Sequence, residues 1–281
     1  MSFKKWGAAA LFMCAGLVHA FAPQAGTWVV TSELNGKPGR GLAIDVQNNT
    51  LVMQMYAYES DGHPTFYIAS GAMANDQFTG PLTRYSGGRY LGSGPLSGAE
   101  AGNMGAVKFR FTSGVTGFIT LPGESEKAIS RYNFAYGFVP ASLMGVWTFT
   151  SIGTEGLLAD AAQLSKNLGA TSTGNGVVAS SDGLFGCEHQ TSGAAAGLVL
   201  CVKMTAQGTL SRGYVMSYSV NEGEGYSQRS GTGTQQLLSV RRLTTPSGNG
   251  TGIIVKSDEV AADNFALREH LAEMAANFET Q

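Results

Sequence analysis

The side chains of this chain that could do chemistry are few: His63, His189 and His270, the pair Glu222 and Glu224, and the tyrosines Tyr56, Tyr58, Tyr67, Tyr85, Tyr132 and Tyr136. A histidine held beside a carboxylate can act as a general base. His189 follows Glu188 and lies seven residues past Asp182, which would suit a hydrolase, although a surface position on a hairpin is the plainer expectation. His63 falls in the turn Asp61-Gly62-His63-Pro64, where solvent is its ordinary partner. Glu222 and Glu224 offer an acid pair or a weak calcium site, but a hard cation wants more oxygen ligands at fixed intervals. Neither a nucleophile elbow, a zinc-binding histidine pair on one helix, nor a phosphate loop occurs. No catalytic residue, metal ligand or cofactor is therefore assigned. The six tyrosines are the candidate ligand contacts, since each joins a stacking face to a hydroxyl.

All of these tyrosines but Tyr136 sit on segments that read as β-strands. From Leu51 to Tyr58 the chain alternates, with Leu51, Met53 and Met55 on one side and Val52, Gln54, Tyr56 and Tyr58 on the other. If the aliphatic side faces inward, the tyrosines form an outer stacking surface. If the aromatic side does, they line a cavity. Leu42–Val46, Phe78–Tyr85, Val107–Phe111, Gly117–Leu121 and Ile129–Phe134 read as further strands, and Asn48-Asn49 and Ser60-Asp61-Gly62 as turns. With the strand opening at Trp28, about eight hairpin-linked strands result, the number that closes into a small barrel without free edges.

A second unit repeats these landmarks. Gly26-Thr27-Trp28 returns as Gly145-Val146-Trp147, Ser60-Asp61-Gly62 as Ser181-Asp182-Gly183, and Gly41–Asp45 corresponds loosely to Gly156–Asp160. Each unit also ends on an arginine after alternating apolar positions, Arg131 in the first and Arg241 or Arg242 in the second. Leu157–Leu168 is ambiguous, because Leu157, Ala161, Leu164 and Leu168 also share a helical face. The expected plan is all-β: units at 21–140 and 141–256, each an antiparallel up-and-down barrel, and an amphipathic helix at 257–281. That helix carries the stripe Val260, Leu267, Leu271, Met274 and Phe278, which could pack on its own barrel, dock or dimerise.

Residues 1–20 read as a secretory leader, with Lys4 and Lys5, an apolar run from Gly7 to Val18, and a small-residue ending at Ala20. That run is too short to span a bilayer, so a membrane-spanning chain is not expected. Removal of the leader leaves 261 of the 281 residues and 16 basic against 20 acidic side chains, because Lys4 and Lys5 leave with it. Such a balance disfavours a nucleic-acid partner. Thirty-nine glycines with only 14% charged residues suit tight turns. Of three cysteines, Cys187 and Cys201 remain after the leader, an even pair expected to form a disulfide in an oxidising compartment; two reduced buried thiols are the alternative.

Two resemblances follow from these residues. The stretch from Gly26 to Gly71, with Gly26-Thr27-Trp28, Gly39-Arg40-Gly41 and the string from Tyr58 through Asp61-Gly62 and Pro64 to Tyr67, resembles a repeat of secreted bacterial proteins. That resemblance implies export and a β fold, and brings no catalytic residues. The architecture is also similar to lipocalin and avidin barrels, in which a basic residue of the last strand covers the indole of the first. By that resemblance Arg131 would cover Trp28, and Arg241 or Arg242 would cover Trp147. The expected function is a secreted or periplasmic, non-enzymatic binding protein for a small apolar or carbohydrate-like ligand. The alternatives are an envelope or extracellular protein-interaction module and a hydrolase using His189.

Overall fold

The computed structural model describes residues 22–231 and 233–251. The expected leader and C-terminal helix lie outside these residues. Within them the chain is all-β and divides between Tyr132 and Asn133 into two units, each a closed antiparallel barrel of eight strands. No helix among the described residues is long and apolar enough to cross a membrane.

The first barrel runs β1 (Gly26–Val30), β2 (Gly41–Gln47), β3 (Thr50–Tyr58), β4 (Pro64–Ala74), β5 (Gln77–Gly87), β6 (Gly98–Ser113), β7 (Thr116–Thr120) and β8 (Lys127–Arg131), each bonded to the next, with β8 returning to β1. Turn chemistry sets the hairpins: Asn75 and Asp76 both take positive φ between β4 and β5, the pair of conformations that matches the twist of a two-residue hairpin. Closure decides which face of β3 goes inside. Leu51, Met53, Met55 and Ala57 are buried against Trp28, Phe78, Phe109 and Phe111, while Val52, Tyr56 and Tyr58 are exposed. Eight strands leave an interior just wide enough for side chains, and this one is filled by apolar residues.

The second barrel comprises β9 (Gly145–Gly153), β10 (Gly156–Asn167), β11 (Val178–Ser180), β12 (Phe185–His189), β13 (Val199–Met204), β14 (Leu210–Ser219), β15 (Glu222–Arg229) and β16 (Gln235–Thr244), with β16 paired to β9. The ambiguous Leu157–Leu168 stretch is strand: Leu157 pairs with Ile152 and Ala162 with Trp147, because pairing on both sides outweighs a weak helical stripe. Cys187 and Cys201 are directly opposed on β12 and β13 and form the disulfide. The first unit ends earlier than 140. From Asn133 the chain packs on the second barrel, where Asn133 Oδ1 accepts from Ser219 Oγ at 2.7 Å and the Phe138 ring lies 4.2 Å from that of His189.

The barrels share local devices. Leu42 and Arg131 flank Trp28 in register, and Ala162 and Arg242 flank Trp147, so Leu42 is matched by Ala162 rather than by the residues near Leu157 expected from the glycine-leucine strings. Each indole donates to the carbonyl four residues upstream, Trp28 to Gln24 at 3.0 Å and Trp147 to Leu143 at 2.8 Å. Each meets one aromatic ring edge-on, Phe111 at 5.6 Å and Tyr218 at 5.5 Å. The third and fourth strands of both barrels join through an aspartate turn, in which Asp61 accepts from His63 N–H and Asp182 from Leu184 N–H, each at 3.0 Å.

Candidate ligand site at the mouth of the second barrel

Alternation along β10, β13, β14, β15 and β16 sends every second side chain into the second barrel. Near Trp147 these are apolar or aromatic: Leu164, Val199, Met216, Tyr218 and Val240, all buried. This end is sealed. Arg242, fully buried, lies 4.0 Å from the Trp147 ring centre and 4.7 Å from that of Tyr136, and it donates to the carbonyls of Ser142, Met144 and Val220 and to the Tyr218 hydroxyl. Burial lowers its pKa below the ordinary arginine value.

Towards the other end the interior turns polar. Tyr214 donates to Asp160 Oδ2 at 2.5 Å, Lys203 pairs with Asp160, and Arg212 pairs with Glu155 at 2.6 Å. Arg212 also reaches Ser227 Oγ at 3.2 Å, which in turn bonds Ser151 Oγ at 2.7 Å. Burial pushes the Asp160 carboxyl up, but the hydrogen bonds from Lys203 and Tyr214 outweigh it and hold the group below its ordinary value. Burial, then Asp160, raises the Tyr214 phenol, which stays a donor. Over this layer opens a cavity of about 370 Å³ walled by Glu155, Asp160, Lys203, Ser211, Arg212 and Arg229, with Leu158 among its few apolar sides. The first barrel's interior is filled by apolar side chains, and a cavity of about 290 Å³ lies outside it at the hairpins around Asn48 and Asn75.

The six tyrosines do not line a common cavity. Tyr56, Tyr58 and Tyr132 are exposed, Tyr67 packs partly against the first core, and Tyr85 stacks on Phe66 at 6.4 Å with rings 4° from parallel. Tyr136 belongs to the second unit, under Arg242. With the aliphatic face of β3 inward, the cavity expected for these residues is closed, and what remains is an outer aromatic row in which Tyr56 stands opposite Phe66 across β3 and β4.

Arg131 lies opposite Trp28, and its guanidinium donates to the carbonyls of Ala25, Thr27 and Tyr132 at 3.1, 2.9 and 3.2 Å. In the second unit the indole is covered by Arg242 and not by Arg241. Arg241 is on the outward face and pairs with Glu222 at 2.9 Å. Burial, then Glu222, raises the Glu224 carboxyl.

His189 is fully buried, contrary to the hairpin-surface expectation, because β12 is covered on both faces along its whole length. Its Nε2 is 3.0 Å from Ser142 Oγ, a pairing not visible in the sequence because the two residues lie 47 positions apart. No hydrogen bond reaches Nδ1, which in a serine hydrolase would be held by a carboxylate. Glu188 points elsewhere and accepts from Thr171 and Gly176 backbone N–H groups at 2.9 and 3.0 Å. The His189 ring packs against that of Phe138, with Ser142 on its Nε2 side.

The lysine and arginines of the mouth escaped the sequence reading, since nothing in their spacing announces them. Comparison with known protein families, with curated proteins and with solved structures gave no match.

Proposed function

We propose that the chain is an exported, non-enzymatic binding protein whose second barrel takes a small polar solute in its open mouth. One observation carries this. At the layer where a purely structural barrel would continue its apolar filling, Asp160, Lys203 and Arg212 turn inward around an open cavity of about 370 Å³. That volume is within the roughly 300 to 1,000 Å³ of small-molecule sites. The polarity of the wall favours a carbohydrate-like ligand over an apolar one, because an apolar guest would strip water from charged groups without replacing their hydrogen bonds. The Cys187–Cys201 disulfide supports an oxidising compartment and hence export.

The test is a thermal-shift screen of the full chain against neutral, anionic and cationic sugars and small acids, run in parallel on Leu158→Trp, which fills the mouth from a cavity-facing position at its rim. Stabilisation of the native chain that is lost in Leu158→Trp supports the reading; stabilisation equal in both, or none, removes it.

A second reading rests on the first barrel. Its interior is filled, so its available chemistry is the outer row of Tyr56, Phe66 and Tyr85, an interaction face for another envelope or extracellular protein. Tyr56→Ser with Phe66→Ser would then abolish partner capture while leaving solute binding in the mouth unchanged.

A further inference from the structure

The mouth of the second barrel holds three cations in register. Lys203 on β13 is directly opposite Arg212 on β14, and Arg212 is directly opposite Arg229 on β15. Directly opposed residues on adjacent strands bring their Cβ atoms to about 5 Å, and like charges so placed repel. Two of the charges are answered: Lys203 by Asp160, and Arg212 by Glu155 at 2.6 Å. Arg229 is exposed to the cavity, and among the described residues no carboxylate stands within ion-pair distance of it. Lys203, Arg212 and Arg229 against Glu155 and Asp160 leave the wall with one positive charge in excess.

We infer that the solute held in this mouth carries an oxyanion, a carboxylate or a phosphate, which Arg229 receives with Arg212 behind it. This rests on the mouth being a ligand site and adds the charge of its occupant. The planar guanidinium offers parallel N–H donors that match two oxygens of such a group. Arg212 is 7% exposed and already fixed by Glu155 and Ser227, so it presents its charge without further ordering. One anionic group neutralises the excess charge. A neutral sugar would leave Arg229 unanswered.

Calorimetric titration of the full chain with glucuronate, glucose and inorganic phosphate tests this, in about 0.15 M salt, where surface attraction is screened beyond roughly 8 Å. The expected result is binding of at least one anion, with glucose weaker by about tenfold or more, as loss of a charge-assisted hydrogen bond implies. Glucuronate binding without phosphate binding assigns the group as carboxylate, and the converse as phosphate. Arg229→Gln should weaken the anion by about tenfold with an unchanged melting temperature, whereas Arg89→Gln, an exposed arginine of the first barrel, should not weaken it. Glucose binding as tightly as either anion, or full affinity in Arg229→Gln, overturns the anion inference. The site itself would still stand if Leu158→Trp abolished that binding. No binding of either anion overturns the inference too, and the Leu158→Trp comparison in the wider screen then decides the site separately.

Discussion

The Arg242 guanidinium lies 4.0 Å from the centre of the Trp147 ring, at a residue that is itself completely buried. Backbone carbonyls, the Tyr218 hydroxyl and three aromatic faces surround it. Replacement by lysine keeps the charge and loses the planar fork and the stack. Arg242→Lys is expected to cost about 2 to 4 kcal/mol, since a buried charge is left poorly compensated. Arg241→Gln, on the outward face, should change stability by no more than about 0.5 kcal/mol. Urea unfolding of the two variants, followed by circular dichroism, checks the contrast; equal losses would refute it.

The glycines two residues before each tryptophan differ in what a methyl group would strike. At Gly26, φ +129°, an added Cβ would lie 2.2 Å from Arg131 Nη2, the end of a long side chain. At Gly145, φ +119°, it would lie 2.3 Å from the Thr244 carbonyl oxygen, which is backbone. Both alanine variants carry the conformational cost of positive φ, of order 1 to 3 kcal/mol. Gly145→Ala should be the more damaging, because strand β16 cannot yield as a guanidinium can. Thermal melts of the two variants would show the order, and a reversed order would contradict it.

Acid should weaken the second barrel through His189. Burial lowers its pKa from 6.5 to about 4, with the Val139 backbone acting weakly in the opposite sense. Between these values the unfolded chain binds a proton that the folded chain refuses, so stability declines as pH falls through the window and is full above it. The loss approaches about 3 kcal/mol by pH 4. Denaturation midpoints against pH for the native chain and His189→Gln should diverge across this range. Parallel curves would show that His189 does not titrate on unfolding.

Along β3 the two faces predict opposite sensitivities. Met53 is fully buried and Tyr56 is 55% exposed. Met53→Ala should cost about 2 to 5 kcal/mol by opening a cavity in the filled barrel. Tyr56→Ala should change stability by less than about 0.5 kcal/mol. Comparable losses measured by chemical denaturation would mean that the face assignment is wrong.

Alternation and turn residues made the strands, the aspartate turns, the cysteine pair and the two-barrel plan readable, because each rests on neighbours within a few positions. Leu51, Met53 and Met55 were separable from Val52, Tyr56 and Tyr58 by period alone. Which set faces inward was decided only by closure, since a two-sided pattern leaves both sides open until a sheet curls. Arg242 rather than Arg241 covers the indole because pairing with β9 sets the parity of β16, and adjacent arginines look alike in one dimension. The mouth was least visible of all. Lys203, Arg212 and Arg229 are separated by loops of unequal length, and only the registers of β13 with β14 and of β14 with β15 bring their charges into one row.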